Sequence, residues 1–156
     1  MTTERSKNIF DKVGALIPGY RGYAERDSRR NCDKLLRNNI SIELDKCSTL
    51  VNKRIKNEIK NKNLEIIQDL EECRQQINTL SDRIKYSPYG ESSFFADTLI
   101  KENELEHIYK FDYEMLNMIK TFKNESNLDD IMIINSFIDS LVSLIDNRNN
   151  FIKEHK

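Results

Sequence analysis

Between Tyr20 and Arg37 the chain places five arginines, Arg21, Arg26, Arg29, Arg30 and Arg37, whereas lysine dominates the basic residues elsewhere. On a helix that starts at Gly22 and advances about 100° per residue, Arg26, Arg29, Arg30, Asp33 and Arg37 share one sector, and Tyr23 lies beside Arg26 and Arg30. Ala24, Ser28, Cys32 and Leu35 fall on the opposite side. A guanidinium is planar, permanently charged and forked, so such a stripe with an adjoining tyrosine can grip phosphates, carboxylates or the acidic face of a protein. The same residues also suit a solvated helix face, because Glu25 with Arg29 and Asp33 with Arg37 are favourable four-residue pairs worth about 0.2–0.5 kcal/mol each. Repulsion between Arg26 and Arg30 weighs the other way. Tyr20, Arg21, Tyr23, Arg26, Arg29, Arg30 and Arg37 are therefore the candidate partner-binding residues.

Other patterns offer less chemistry. Glu104 and His107 have the Glu-x-x-His spacing of di-iron bundles, but that site needs a second copy and two more glutamates, and the only other histidine is His155. Two histidines, one of them near the end of the chain, leave little for Ser/His/Asp or Cys/His catalysis. Gly19 and Gly22 bracket Arg21, yet they lack both phosphate-loop spacings and follow a helical pattern rather than a strand; anchoring by Tyr20 and Tyr23 is the better role. The three cysteines, Cys32, Cys47 and Cys73, have no close-spaced pair and sit on apolar stripes, as core thiols of a reducing compartment would. These features predict a protein that is not an enzyme, with no catalytic residues, metal ligands, cofactor or small-molecule substrate. The net charge of −1 and the lack of any helix-turn-helix or RNA-binding motif argue against nucleic acid. Tyr86, Tyr89, Phe94 and Phe95 form an aromatic loop around Pro88 and Gly90, read as a cap on the bundle end, with partner binding as the alternative.

The elements that must position these residues are helical. An apolar fraction of 38%, a charged fraction of 33%, and only 4 glycines and 2 prolines suit long amphipathic helices rather than sheets. Ile9, Phe10, Val13, Leu16 and Ile17 make one face of a short helix over residues 6–17, which three turns alone would not sustain. Pro18, Gly19 and Gly22 turn the chain. Leu36, Ile40, Leu44, Cys47, Val51, Ile55 and Ile59 then mark a helix over residues 22–60, roughly 58 Å long at 1.5 Å per residue. The polar run Lys60-Asn61-Lys62-Asn63 predicts a break, against the rival of one continuous rod. Ile66, Leu70, Cys73, Ile77, Leu80 and Ile84 alternate by fours and threes over residues 64–86, a coiled-coil seam able to pair with a copy of itself. Further helices follow over residues 93–124 and 128–154, the latter with the widest apolar face, and capping boxes pair Ser126 with Asp129 and Asn127 with Asp130.

Short connections make the expected fold all-α: an antiparallel four-helix bundle with long coiled-coil-like helices (residues 22–156) and a short N-terminal helical arm with its turn (residues 1–21). The first long helix would overhang the second by about 24 Å, exposing Cys32, Leu35 and Leu36 unless the arm, with Phe151 and Ile152, covers them. Charge is polarised, from +4 over residues 1–37 through +1 over 38–85 to −6 over 86–156. The acidic end could therefore lie beside the basic start. No signal-peptide core and no run of eighteen apolar residues is present, so the expectation is a soluble cytoplasmic protein.

The run Leu16-Ile17-Pro18-Gly19-Tyr20-x-Gly22-Tyr23-x-x-Arg26, continued by Arg29-Arg30 and Asp33-Lys34-x-Leu36-Arg37, resembles an N-terminal signature of uncharacterised bacterial helical proteins. The resemblance spans about 22 residues and implies a bacterial, cytoplasmic, helical protein, with no activity to transfer. The resulting expectation is a non-enzymatic interaction or scaffold module that binds a protein partner, or a second copy of itself, through the basic start of its first long helix. The alternative is peripheral membrane association, in which Ile9, Phe10, Val13, Leu16 and Ile17 insert while Lys7, Lys12 and the arginines meet anionic lipid.

Overall fold

The computed structural model describes residues 9–20, 22, 29–86, 102–124, 128 and 130–154, with the side chains of residues 29, 30, 102 and 103 left aside. Among them the fold is all-helical, with α1 Ile9–Leu16, α2 Arg29–Lys60, α3 Ile67–Lys85, α4 Glu102–Asn124 and α5 Ile131–Glu154, and no strand.

The break between α2 and α3 falls where the polar run predicts it. The N–H of Lys62 donates to the Ile59 carbonyl and that of Asn63 to the Glu58 carbonyl. This is the paired closure of a Schellman motif, with Lys62 in the left-handed position at φ 57°. A lysine there carries Cβ strain that glycine avoids. Lys62→Gly is expected to raise stability by about 0.5–1 kcal/mol in urea unfolding. A destabilised variant would contradict that account.

Beyond the turn α3 folds back along α2. Ser41 and Ser81 hydroxyls meet at 2.8 Å and Ser81 also donates to Asp45 Oδ1 at 2.9 Å, so the two helices run antiparallel in fixed register. Asp130 starts α5: its Oδ1 accepts the Met132 N–H at 2.9 Å, satisfying a donor that the helix leaves unpaired. Ser126, Asn127 and Asp129 lie outside the described residues. Phe122 stacks on Phe137 with centroids 4.1 Å apart, which closes α4 against α5. Lys123 pairs with Glu43, while ten positions earlier in α2 Asp33 shares Arg148 with Asp112, so α4 lies parallel to α2. Arg83 donates to Asp146 at 2.8 Å, and Cys73 to Asn135 at 3.2 Å, tying α3 to α5 in parallel. Burial alone would raise the Glu43 carboxyl, but Lys123 and Lys46 hold it below the usual carboxylate value.

The core follows the stripes closely. Leu36, Ile40, Leu44, Cys47 and Val51 of α2 are sealed, as are Leu70 and Ile77 of α3, Ile108 and Ile119 of α4, and Ile134 and Leu141 of α5. Among the described residues Ile59 departs furthest from the expected core at 54% exposed, because the turn that ends α2 carries it past its neighbours. Cys32, Cys47 and Cys73 are buried free thiols. Burial pushes the Cys47 thiol up to about 12. Because the folded state holds that proton more tightly, its contribution is intact below the ordinary thiol value and fades as pH rises from about 9 to 12. In the native protein at neutral pH Cys47 should resist an aromatic disulfide reagent, whereas unfolded chains should titrate all three thiols. Rapid native labelling of Cys47 would contradict the burial.

Candidate functional site

The start of α2 runs beyond α3. With Ser41 opposite Ser81, Arg37 lies level with the end of α3 at Lys85, leaving residues 29–36 as roughly 12 Å of overhang at 1.5 Å per residue. Cys32 and Leu36 are nonetheless buried, so the overhang is covered. The arm supplies part of the cover. Val13, Ile17 and Tyr20 are buried, and α1 packs on α4. Phe10 stands 5.5 Å from Tyr109 and 6.0 Å from Tyr20, centroid to centroid, while Lys12 Nζ lies 5.7 Å over the Tyr113 ring. Gly19 and Gly22 take φ of 83° and 81°, the backbone freedom that the turn requires. At Gly22 the fit is close: a Cβ would meet Phe10 Cε2 at 2.5 Å and the Tyr109 hydroxyl at 2.7 Å.

The other part of the cover is ionic. Asp33 of α2, Asp112 of α4 and Arg148 of α5 are all buried and meet in the interior. Arg148 Nε donates to Asp112 Oδ1 at 2.7 Å and Nη2 to Asp33 Oδ1 at 3.1 Å. On its other oxygen Asp33 accepts Arg37 Nε at 2.7 Å. Tyr20 adds a long contact from its hydroxyl to Asp112 Oδ2 at 3.4 Å. One guanidinium therefore bridges carboxylates from two further helices, and the arm reaches the same cluster. Burying such charges is costly unless each is paired, so the network fixes how α2, α4 and α5 assemble at this end.

Of the candidate partner-binding residues, Tyr20 thus lies in the interior and Arg37 is engaged with Asp33. Arg21, Tyr23 and Arg26 lie outside the described residues; Arg29 and Arg30 sit in the first turn of α2, their side chains outside that description. Of the arm residues, Val13 and Ile17 are buried, while Ile9, Phe10 and Leu16 pack partly buried against the core. His107 is exposed, its ring 5.4 Å from Phe151, and Glu104 is half-buried. No group of three or more His, Cys, Asp or Glu among the described residues could hold a metal. Tyr86 is 70% exposed, and Tyr89, Phe94 and Phe95 lie outside the described residues.

The buried network is what the stripe pattern missed. Its signal was present: Asp112 continues the stripe Ile108, Met115, Ile119, and Arg148 continues Leu141, Leu144, Ile145, Ile152. Opposite charges on apolar stripes announce a buried pair, because neither can stay buried alone.

No helix among the described residues is long and apolar enough to cross a membrane. Comparison of the chain with protein-family models, curated proteins and solved structures finds no match.

Proposed function

We propose that this chain is a non-enzymatic helical interaction module, an arm-capped bundle of two antiparallel hairpins, α2/α3 and α4/α5, which presents the basic start of α2 to a protein partner. One observation carries this reading. The first turns of α2 are pinned from beneath through Cys32, Asp33 and Leu36, while Asn31, Lys34, Leu35 and Asn38 face outward. A helix end anchored in this way holds its outer side chains with little freedom left to lose on binding. Arg26, Arg29 and Arg30 immediately precede or open that anchored segment, and their forks suit an acidic partner face.

The burial of Val13 and Ile17 supports the arm's role as a cover rather than as a membrane anchor. Insertion of α1 into lipid would require both side chains to leave the core.

The test is affinity capture at low and high salt, followed by binding measurement on the purified partner, with the intact chain and with Arg26, Arg29 and Arg30 changed to Glu. Binding that weakens at least tenfold, alongside an unchanged helical circular dichroism spectrum, is the expected result. Capture that ignores both charge reversal and salt would dismiss the basic start of α2 as the binding surface.

A further inference from the structure

The tip of the α2/α3 hairpin combines exposed apolar side chains with unmatched positive charge. With Ser41 opposite Ser81, Thr49 stands level with Cys73, and so with Asn135, which accepts from the Cys73 thiol. Lys60 ends α2 eleven residues past Thr49, whereas α5 begins at Ile131, four residues before Asn135, so the hairpin runs roughly 10 Å beyond the start of α5 at 1.5 Å per residue. At this tip Ile59 and Leu64 are 54% and 68% exposed, while Ile55 is buried and Ile66 and Ile67 pack against the core. The inward apolar positions are satisfied and the two outward ones are left to solvent.

Lysines surround that pair. Residues 53–65 carry five basic side chains, Lys53, Arg54, Lys56, Lys60 and Lys62, against Glu58 and Glu65, a balance of +3 in a chain whose net charge is −1. All four lysines are exposed, and among the described residues none of them meets a carboxylate. Glu58 instead lies 3.5 Å from Arg54 Nε.

We propose that this tip docks on an anionic lipid bilayer, with Ile59 and Leu64 entering the headgroup boundary and Lys53, Lys56, Lys60 and Lys62 facing acidic headgroups. Both halves of the surface are then used: each lysine held near an anionic membrane adds about fivefold in affinity, and the apolar side chains add more by leaving water. A protein partner fits less well, because two exposed side chains at a hairpin tip fall far short of the roughly 800 Å² per partner of a standard interface. Nucleic acid phosphates would meet the lysines but leave Ile59 and Leu64 without a role. The surface is independent of the protein-binding role proposed above, since it lies about 45 Å along α2 from Arg29 at 1.5 Å per residue. Nor does it require α1 to leave the core.

The test is co-sedimentation of the full chain with vesicles of equal parts phosphatidylcholine and phosphatidylserine, and with vesicles of phosphatidylcholine alone. Binding to the anionic vesicles that fades as salt rises, with little binding to the neutral ones, is expected. Leu64→Ser should weaken it about tenfold, and Lys56→Gln with Lys60→Gln at least tenfold. Helical circular dichroism spectra should stay unchanged, because all three side chains are exposed. The chain contains no tryptophan, so Leu64→Trp supplies a single reporter whose emission should move to shorter wavelength on the anionic vesicles. No binding to anionic vesicles would overturn the proposal, as would binding without that emission shift. So would binding that survives Leu64→Ser yet is lost with Arg26→Glu, Arg29→Glu and Arg30→Glu, which would move the lipid contact to the other end of α2. An equal emission shift with a single-stranded oligonucleotide would overturn it in favour of nucleic acid.

Discussion

Replacing Arg148 with Ala should cost about 3–5 kcal/mol of stability, because it takes the shared guanidinium away from two buried carboxylates, Asp112 and Asp33, that are 0% and 2% exposed, and leaves Asp33 to Arg37. That is a large share of the 5–15 kcal/mol typical of a domain, and it corresponds to a fall in Tm of roughly 10 °C. The loss comes from uncompensated charge more than from missing contacts. A triple variant, Arg148→Met with Asp33→Asn and Asp112→Asn, should therefore recover at least half of it. Arg83→Ala supplies the contrast, since both side chains of its pair with Asp146 are about half exposed and such pairs are worth about 0–1 kcal/mol. Urea unfolding with a common slope measures all three. If Arg148→Ala fell within 1 kcal/mol of Arg83→Ala, the cluster would not be holding the helices together.

Among the described glycines, Gly22→Ala should be the most damaging substitution. The backbone there sits at φ 81°, which costs an alanine about 1–2 kcal/mol. The new carbon would also press on Phe10 and the Tyr109 hydroxyl, each closer than 3.0 Å. Relief requires either ring to move, and both belong to the contact of α1 with α4. A total of about 2–4 kcal/mol is expected, together with faster proteolysis within residues 9–20 than elsewhere. Gly14→Ala is the control, because its Cβ would meet only the Tyr20 carbonyl oxygen at an ordinary 4.0 Å. Similar stability for the two variants would mean that the arm does not rest against Tyr109. Gly22→Ala also probes the membrane alternative. If loosening the arm added liposome binding beyond that of the wild type, α1 would be a releasable anchor rather than a permanent cover.

The helices were legible because their cause is local. Apolar residues three and four apart define a face whatever lies across from it, so the stripes of α2 to α5 predicted the core almost residue for residue. The α2 to α3 break was equally local, four polar residues with two asparagines, although its closure on a left-handed lysine was not foreseen. Pro18, Gly19 and Gly22 likewise announced a turn, and the buried face of α1 announced that it must dock.

The partners were not local. Nothing in the spacing states that Asp33 meets Arg148, 115 positions away, or that α2 lies parallel to α4 while α3 lies parallel to α5. Those facts depend on which faces meet, and apolar stripes are too alike to choose. The four-residue pairing of Asp33 with Arg37 was legible, but Asp33, counted by sector with the outward arginines, is buried at 2% exposure, because Arg148 joins Arg37 in neutralising it inside the assembled bundle. Sequence alone determined that the chain would be helical and where its faces lay. Only the tertiary structure decided which charges would be enclosed, since the desolvation that forces them to pair exists only once the helices have closed over them.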